Sequence, residues 1–474
     1  MTRRGMIEWG CLDEEDRMAH NYTECNRDQL YLLPPSMKDW LGEEHFAWFL
    51  LDAMEQMDLS AFHAAYRSDG KGQQAHHPEI VLAVLLYGYC HGERSSRQLE
   101  RLCEESVPYR ILAADTRPDH CAFARFRQRH ESALKAVFLE VLRLCAEAGV
   151  VKVGVVSLDG TKLKANAALS ANRTLEGLEK EIAAMVSEAA ARDAEEDARY
   201  GADRRGDELP EGLRHREDRL RRLRECKAKL EAEQEAARRA QEEKIKQRDA
   251  EEEATGRKKR GRAPKTPEQA AEEKAESKAN TTDPPSGIMK TRQGYVQGYN
   301  AQAVVTEDQY VVAAALTAEA NDQKQLHPML NQAAANLDAV GVDEKIGAGL
   351  ADAGYCSEKN LTSGSDDGPE LLVNTTKDWK RRKALREEPP PRGRIPKGLT
   401  ATQRMERKLR TKRGAALYRK RAQTVEPVFG QVKDARRLDR FCRRGDTACD
   451  SEWAVMCATH NLLKLYRSGR AKWN

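Results

Sequence analysis

Residues 173–280 are built largely from Ala, Glu, Lys and Arg, and the leucines that could form a seam are sparse, at 213, 220, 223 and 230. A stretch so poor in apolar side chains cannot supply the main core of the chain. The core must therefore be assembled from the segments on either side, which the fold has to bring together across this interruption. With the turn signal GADRRGDELPEG inside it, the stretch is expected to form a charged helical hairpin that frays into a linker.

The flanks carry the missing apolar pattern. Residues 151–165, VKVGVVSLDGTKLKA, are apolar and β-branched up to Asp159-Gly160, which suits a buried strand ending in a turn. After the interruption come two strand-like runs, GYVQGYNAQAVV and QYVVAAALTA, a helical run QLHPMLNQAAANLDAVG, a strand KIGAGLADA carrying Asp352, and a short strand LLVNTT. Strand, hairpin, helix and strand in this order specify an α/β layer. Asn321 and Asp322, before the helical run, read as a helix cap.

Upstream, residues 36–149 place apolar side chains at three- and four-residue spacing in HFAWFLLDAMEQM, HPEIVLAVLLYGY and ALKAVFLEVLRLCAEAG, the mark of an all-α module. Within it, SSRQLERLC is capped by Ser95 or Ser96, and a second helix starts after Asp119 and aligns Arg125, Arg127, Arg129 and His130. The pair has helix-turn-helix character, with arginines that could reach guanine edges or phosphates in a major groove. The competing reading is the solvated face of a packing helix.

The net charge of +4 conceals an uneven distribution: residues 376–445 hold 24 Lys/Arg against 7 Asp/Glu, a local +17 that leaves the rest of the chain at about −13. That stretch is a candidate polyanion-binding surface, and its Pro- and Arg-rich part, 380–414, is expected to be extended or mobile until it meets a partner. The 11 cysteines include no CxxC pair and no finger-type spacing, so they read as reduced, structural thiols of a cytoplasmic protein. The N-terminus has no apolar signal core, and the longest strongly apolar run, residues 80–87, falls well short of the roughly 20 residues a membrane span needs.

Three acids then stand out. Asp159 closes the first strand run, Asp352 a later one, and Glu426 sits among cations in YRKRAQTVEPVFGQVK. Carboxylates from distant parts of a chain can converge on a metal pair, and two Mg²⁺ ions stabilise the attacking and leaving oxygens of phosphodiester cleavage in many nucleases. Pro427 disfavours helical geometry at Glu426 and suits a helix's first turn, so Glu426 is expected at a helix mouth. Lys433, two helical turns on, would share its face and could meet a phosphate. His460, among apolar neighbours, reads as a core or capping residue.

Five ordered motifs, SLDGTKLKANA, DPPSGIMKTRQGYVQGYNAQAVV, TAEANDQKQLHPML, LADAGYCS and YRKRAQTVEPVFGQVK, make the chain resemble bacterial insertion-sequence transposases of the DDE type, in the branch with a Tyr-Arg-Glu-Lys signature. Here that signature falls on Tyr418, Arg421, Glu426 and Lys433, with Arg421 five residues before Glu426 where an offset of four is the common form. The resemblance implies an α/β ribonuclease H-like catalytic core, a mixed sheet with flanking helices, at 151–172 and 281–474. To it are added an N-terminal arm (1–35), an all-α DNA-binding domain (36–150) and the charged helical hairpin insertion (173–280).

It further implies Asp159, Asp352 and Glu426 as catalytic metal ligands for two Mg²⁺ ions, with Mn²⁺ able to substitute. Tyr418, Arg421 and Lys433 would contact DNA. The activity implied is cleavage at terminal inverted repeats and direct joining of 3′ ends to target DNA by a homodimer or larger synapse in a bacterial, nucleoid-associated setting. Two alternatives stay open, a catalytically silent DNA-binding regulator and a metal-dependent nuclease without strand transfer. Arg260-Gly261-Arg262 and Arg392-Gly393-Arg394, both in basic, Pro-flanked settings, resemble AT-hook cores, which would set Arg392 and Arg394 into a narrow A·T minor groove.

Overall fold

The computed structural model describes residues 36–66, 75–200, 211–258, 263–363, 368–471 and 473. Residues 1–43 and 44–474 form two units. In the first, the described part is one 3-10 turn, Met37–Trp40, whose first amides are capped by the Ser36 hydroxyl. The arm assigned to residues 1–35 and the tripeptide Arg260-Gly261-Arg262 lie outside the described residues.

The second unit is organised by a six-stranded mixed sheet of β1 (Val155–Lys164), β4 (Gly287–Thr291), β5 (Gly294–Thr306), β6 (Val311–Thr317), β7 (Ala348–Ala351) and β8 (Glu370–Val373). One edge of β5 takes both β4 and β6, and its other edge lies antiparallel to β1, with Asp159 opposite Ala303. On the far side of β1 the sheet turns parallel, Leu158 pairing with Ala351 of β7 and Ala351 with Val373 of β8. Val156, Leu158, Val304, Val312, Leu350 and Ala351 are all fully or almost fully buried, as strands covered on both faces require.

β1 does not end at Asp159-Gly160. It continues through Lys164, because Gly160, Thr161 and Leu163 still pair with Gln302, Ala301 and Tyr299 of β5. What ends near Asp159 is the parallel ladder with β7, whose last pair is Leu158 with Ala351. Asp159 thus stands where β1 becomes free on one edge.

The helical segment comprises α1 (Phe46–Glu55), α2 (Ser60–His63), α3 (Pro78–His91), α4 (Ser96–Glu105), α5 (Val107–Leu112), α6 (His120–Arg129) and α7 (Glu131–Glu147). It shares a partner with the sheet: α17 (Asp446–Ser468) packs against α3 and α7 and also against β6. A helix covered on all sides must be apolar nearly all round, and α17 buries Trp453, Met456, Cys457, Leu462 and Leu465. Its polar residues bond the sheet. Trp453 Nε1 donates to Gln302 O at 3.0 Å, and the Asn461 amide closes both backbone groups of Val311 at 2.9 and 2.8 Å.

Between β1 and β4 lie β2 (Asn172–Arg173), α8 (Leu175–Tyr200), α9 (Glu211–Thr255), α10 (Pro267–Ala275) and β3 (Ala279–Asn280). β2 and β3 pair antiparallel at the base, so this insertion leaves and re-enters the sheet region at one point. Leu178, Leu223, Cys226, Leu230 and Ala279 form a small separate core there; beyond it, α9 is carried by charged side chains. The remaining elements are α11 (Leu326–Ala339), α12 (Glu358–Thr362), α13 (Trp379–Glu387), α14 (Ala401–Leu409), α15 (Lys412–Arg419) and α16 (Arg421–Gly430).

Of residues 380–414, expected to be extended or mobile, 380–387, 401–409 and 412–414 are helical, and the Pro-rich stretch 388–400 between them is not. The helices rest on caps and on a few apolar contacts with the sheet: Met405 of α14 is buried, and Leu409 of α14 and Leu417 of α15 pack against Val155, Ala348, Leu350 and Leu372. Asp378, Thr400 and Thr411 cap α13, α14 and α15, and Met405 packs under β8, its sulfur accepting from Val373 N.

Candidate active site

α16 lies across the face of β1 that carries Ser157 and Asp159. Thr424 Oγ1 bonds the buried Ser157 Oγ at 2.5 Å, which fixes the helix over the strand and brings Arg421 and Glu426 to the free edge beside Asp159. Arg421 Nη2 lies 2.7 Å from Asp159 Oδ2 and its Nη1 3.4 Å from Glu426 Oε1. Its Nε is buried without a partner. Asp352 follows β7 directly and accepts Gly354 N at 2.7 Å, while Asp159 accepts Gly160 N at 2.9 Å.

Glu426 is not at a helix mouth. α16 starts at Arg421 and runs through Pro427. Proline's missing N–H leaves the carbonyl four residues back without its bond, and here Gln309 Nε2 donates to that Gln423 oxygen at 2.9 Å. A side chain from the β5–β6 turn thus restores the bond that the proline removes, and Glu426 stays helical and projects with 59% of its side chain exposed.

A second polar group sits on the opposite face of β1, reached by Gly160 and Lys162 through strand alternation. Asp322 Oδ1 accepts from Asn300 Nδ2 at 2.6 Å, Gln302 Nε2 at 2.8 Å and Lys162 Nζ at 3.4 Å, and Tyr355 OH donates to Gln302 Oε1. Sequence reasoning left this group out. Asn321 does behave as a local turn residue, accepting Gln323 N at 3.1 Å, but Asp322 turns to the sheet. The available signal was Asn300 and Gln302 two apart on one strand face. Gly354 leaves room between the two groups: a Cβ there would lie 2.9 Å from Asp352 Oδ1 and 3.1 Å from Asp322 Oδ2.

Burial raises the Asp159 carboxyl to about 6; the Arg421 charge works against that, and Asp352 and Asp322 add to it. Burial lowers Lys162, with Asp322 opposing, and raises Tyr418. An all-carboxylate donor set suits a hard divalent cation, so Asp159, Asp352 and Glu426 fit one chemically. Their oxygens are not gathered in this structure: among the described residues only His63, His77 and Glu79 bring three ligand atoms within 4.8 Å of one another. The guanidinium of Arg421 lies between Asp159 and Glu426 and is the cation that neutralises them here.

Two family models match the chain, Transposase domain (DUF772) over residues 35–129 and Transposase DDE domain over residues 262–462. The chain belongs to the insertion-sequence DDE transposases. No curated protein and no solved structure matches it. The DDE domain implies a ribonuclease H-like fold, in keeping with the mixed sheet and flanking helices of this transposase. The match takes in Asp352 and Glu426; β1 with Asp159 lies upstream, separated by the insertion.

The other residues singled out in this transposase divide by accessibility. Tyr418 packs beside the cluster of Val155, Ala348, Leu350 and Leu372. Lys433 falls in a π-helical turn, Gln431–Ala435, which breaks the two-turn phase with Glu426. Its Nζ is engaged by Thr161 Oγ1 at 3.1 Å and Lys162 O at 3.2 Å. Arg127, expected on a DNA-facing surface, is buried: its guanidinium bonds Arg94 O at 2.6 Å and Ser96 Oγ at 3.3 Å. Arg125 and Arg129 are exposed, Arg129 over the Tyr66 ring. Arg392 and Arg394 are exposed too, while the carbonyls of 392–394 are gathered by Arg407 Nη2. His460 is buried between Gln431 and Gln309 O, and burial holds it neutral at about 3. No helix among the described residues is long and apolar enough to cross a membrane.

Proposed function

We propose that this transposase binds the terminal inverted repeats of its element, cleaves the ends by metal-dependent hydrolysis and joins the 3′ ends to target DNA. The observation that carries the reading is the meeting of Asp159, Arg421 and Glu426, from a strand and a helix far apart in sequence, at the free edge of β1 beside Asp352. Asp159, Asp352 and Glu426 are the residues that would hold Mg²⁺, or Mn²⁺ in its place, as an ion pair. Such ions supply Lewis acidity to the attacking and leaving oxygens of a phosphodiester.

The protein's own part is positioning and charge. Asp159 must be ionised to serve, which its proton affinity allows at neutral pH. Arg421, once released from Asp159 and Glu426, would be free to take a phosphate, where a guanidinium can bond two oxygens at once. Lys433 props the β1 segment at Thr161 and Lys162, and Tyr418 lines the same approach. The helical segment 36–150, with Arg125 and Arg129 outward, supports end recognition. The basic segment around Arg392 and Arg394 supports contact with duplex backbone, and the insertion 173–280 supports bracing of a homodimeric or larger synapse.

The test is cleavage and strand transfer, with Mg²⁺, on DNA carrying the two ends of the element, wild type against Asp159→Asn. Joined products from the wild type alone are expected. Cleavage without joining would make the protein a nuclease, and end-binding without cleavage in either form would make it a regulator.

A further inference from the structure

His63 is the last residue of α2, His77 the N-cap of α3, and Glu79 stands in the first turn of α3. Their ligand atoms lie within 4.8 Å of one another. His63 Nε2 is 3.0 Å from Glu79 Oε1, His77 Nδ1 is 4.0 Å from Glu79 Oε2, and the two imidazoles meet edge to face at 5.2 Å. The side chains are about half exposed, at 44%, 54% and 48%, so an ion has access from solvent.

We infer that these three residues form a site for a borderline transition-metal ion, Zn²⁺ by chemistry, distinct from the acidic cleft on β1. Two imidazoles and one carboxylate are a donor set that Zn²⁺ accepts at about 2.0–2.2 Å, with ligand atoms then roughly 3.3 Å apart. The His63–Glu79 and His77–Glu79 separations need only sub-ångström adjustment. Mg²⁺ prefers oxygen ligands throughout and does not compete for such a set. Glu79 also offsets the positive end of the α3 dipole, which would otherwise repel a cation there. The fourth position is open to water.

An ion bound here joins the end of α2 to the start of α3. The consequence reaches α6, because Phe62 of α2 stacks on Phe126 at 5.6 Å and 3°, and Phe126 lies between the exposed Arg125 and Arg129. Occupancy would therefore hold in place the helix that presents those two arginines. The simpler role of the cluster, a His63–Glu79 hydrogen bond linking two helices, predicts no metal affinity and so is separable.

The test is equilibrium dialysis of the full-length protein against Zn²⁺ in a large excess of Mg²⁺, which occupies carboxylate sites, with Co²⁺ absorption in the visible as the coordination readout. One Zn²⁺ per chain is expected in the wild type and in Asp159→Asn. At least tenfold weaker binding, with loss of the Co²⁺ band, is expected in His63→Ala and His77→Ala. Glu79→Gln, which retains a hydrogen-bonding partner for His63, guards against a folding artefact and should also weaken binding. Unchanged affinity in all three cluster variants, absence of binding in the wild type, or loss confined to Asp159→Asn would overturn the site.

Discussion

Replacing Asp159 by asparagine separates what this carboxyl does for folding from what it does for metal. Folding raises it from the ordinary 3.8 to about 6. At about 1.4 kcal/mol for each tenfold in proton affinity, the ionised form costs the folded state about 3 kcal/mol. The sign follows from proton binding. Between about pH 4 and pH 6 the folded protein holds more of this proton than the unfolded chain, so stability falls as pH rises through that window and stays low above it. The neutral amide of the variant carries no such cost, but it leaves Arg421 without its 2.7 Å partner, and a buried charged donor so deprived gives back about 1–2 kcal/mol. In chelator near pH 7.5 the Asp159→Asn protein should therefore be more stable than wild type by about 1–2 kcal/mol, with the difference vanishing at about pH 5 and wild type the more stable form below it. Saturating Mg²⁺ should reverse the order, since a ligand at about one hundred times its Kd adds about 2.7 kcal/mol to the form that binds it. Urea-unfolding midpoints in EDTA and in Mg²⁺, across pH, measure both effects. A variant no more stable than wild type above pH 6 in chelator would refute the reasoning that burial dominates at Asp159.

Two further outcomes follow from the same geometry. Arg421→Ala removes the guanidinium that now neutralises Asp159 and Glu426; Mn²⁺ affinity, read by paramagnetic resonance without DNA, should rise about tenfold or about 1.4 kcal/mol, even as strand transfer falls, and unchanged affinity would show that Arg421 does not compete with the ion. Gly354→Ala sets a methyl 2.9 Å from Asp352 Oδ1 and 3.1 Å from Asp322 Oδ2 at an ordinary negative-φ position; metal affinity should drop about tenfold while the unfolding free energy from urea titration falls by less than about 1 kcal/mol, and a large stability loss with intact affinity would place the strain elsewhere.

Asp159, Asp352 and Glu426 stand out in the sequence because two of them adjoin apolar runs and the third lies in a distinctive basic motif. Their surroundings are less legible, because long-range pairing has no local signature. Nothing near Asp159-Gly160 distinguishes a turn from a strand that continues, until β5 supplies partners for Gly160, Thr161 and Leu163. The pattern of exposed arginines on α6 likewise included Arg127, whose burial depends on Arg94 and Ser96 more than thirty residues away in sequence. Helices α13–α15 escaped a periodicity argument because they are short and are sustained by caps and a few apolar contacts with the sheet, through Met405, Leu409 and Leu417.

Pro427 shows how the local rule and the tertiary answer can both be physically sound. The proline does remove a helical hydrogen bond, as the rule says, and the chain keeps the helix by bringing Gln309 from the β5–β6 turn to the orphaned carbonyl of Gln423. The same turn gives its Gln309 carbonyl to His460 of α17 at 2.9 Å, and His460 in turn contacts Gln431 just beyond α16. One residue thus ties the helix carrying Glu426 to the hairpin and to the central helix shared with α3 and α7. A proline placed directly after a catalytic-type acid keeps that stretch of α16 from closing its own backbone bonds, so the position of Glu426 is set by the β5–β6 turn and α17 together and not by the helix alone.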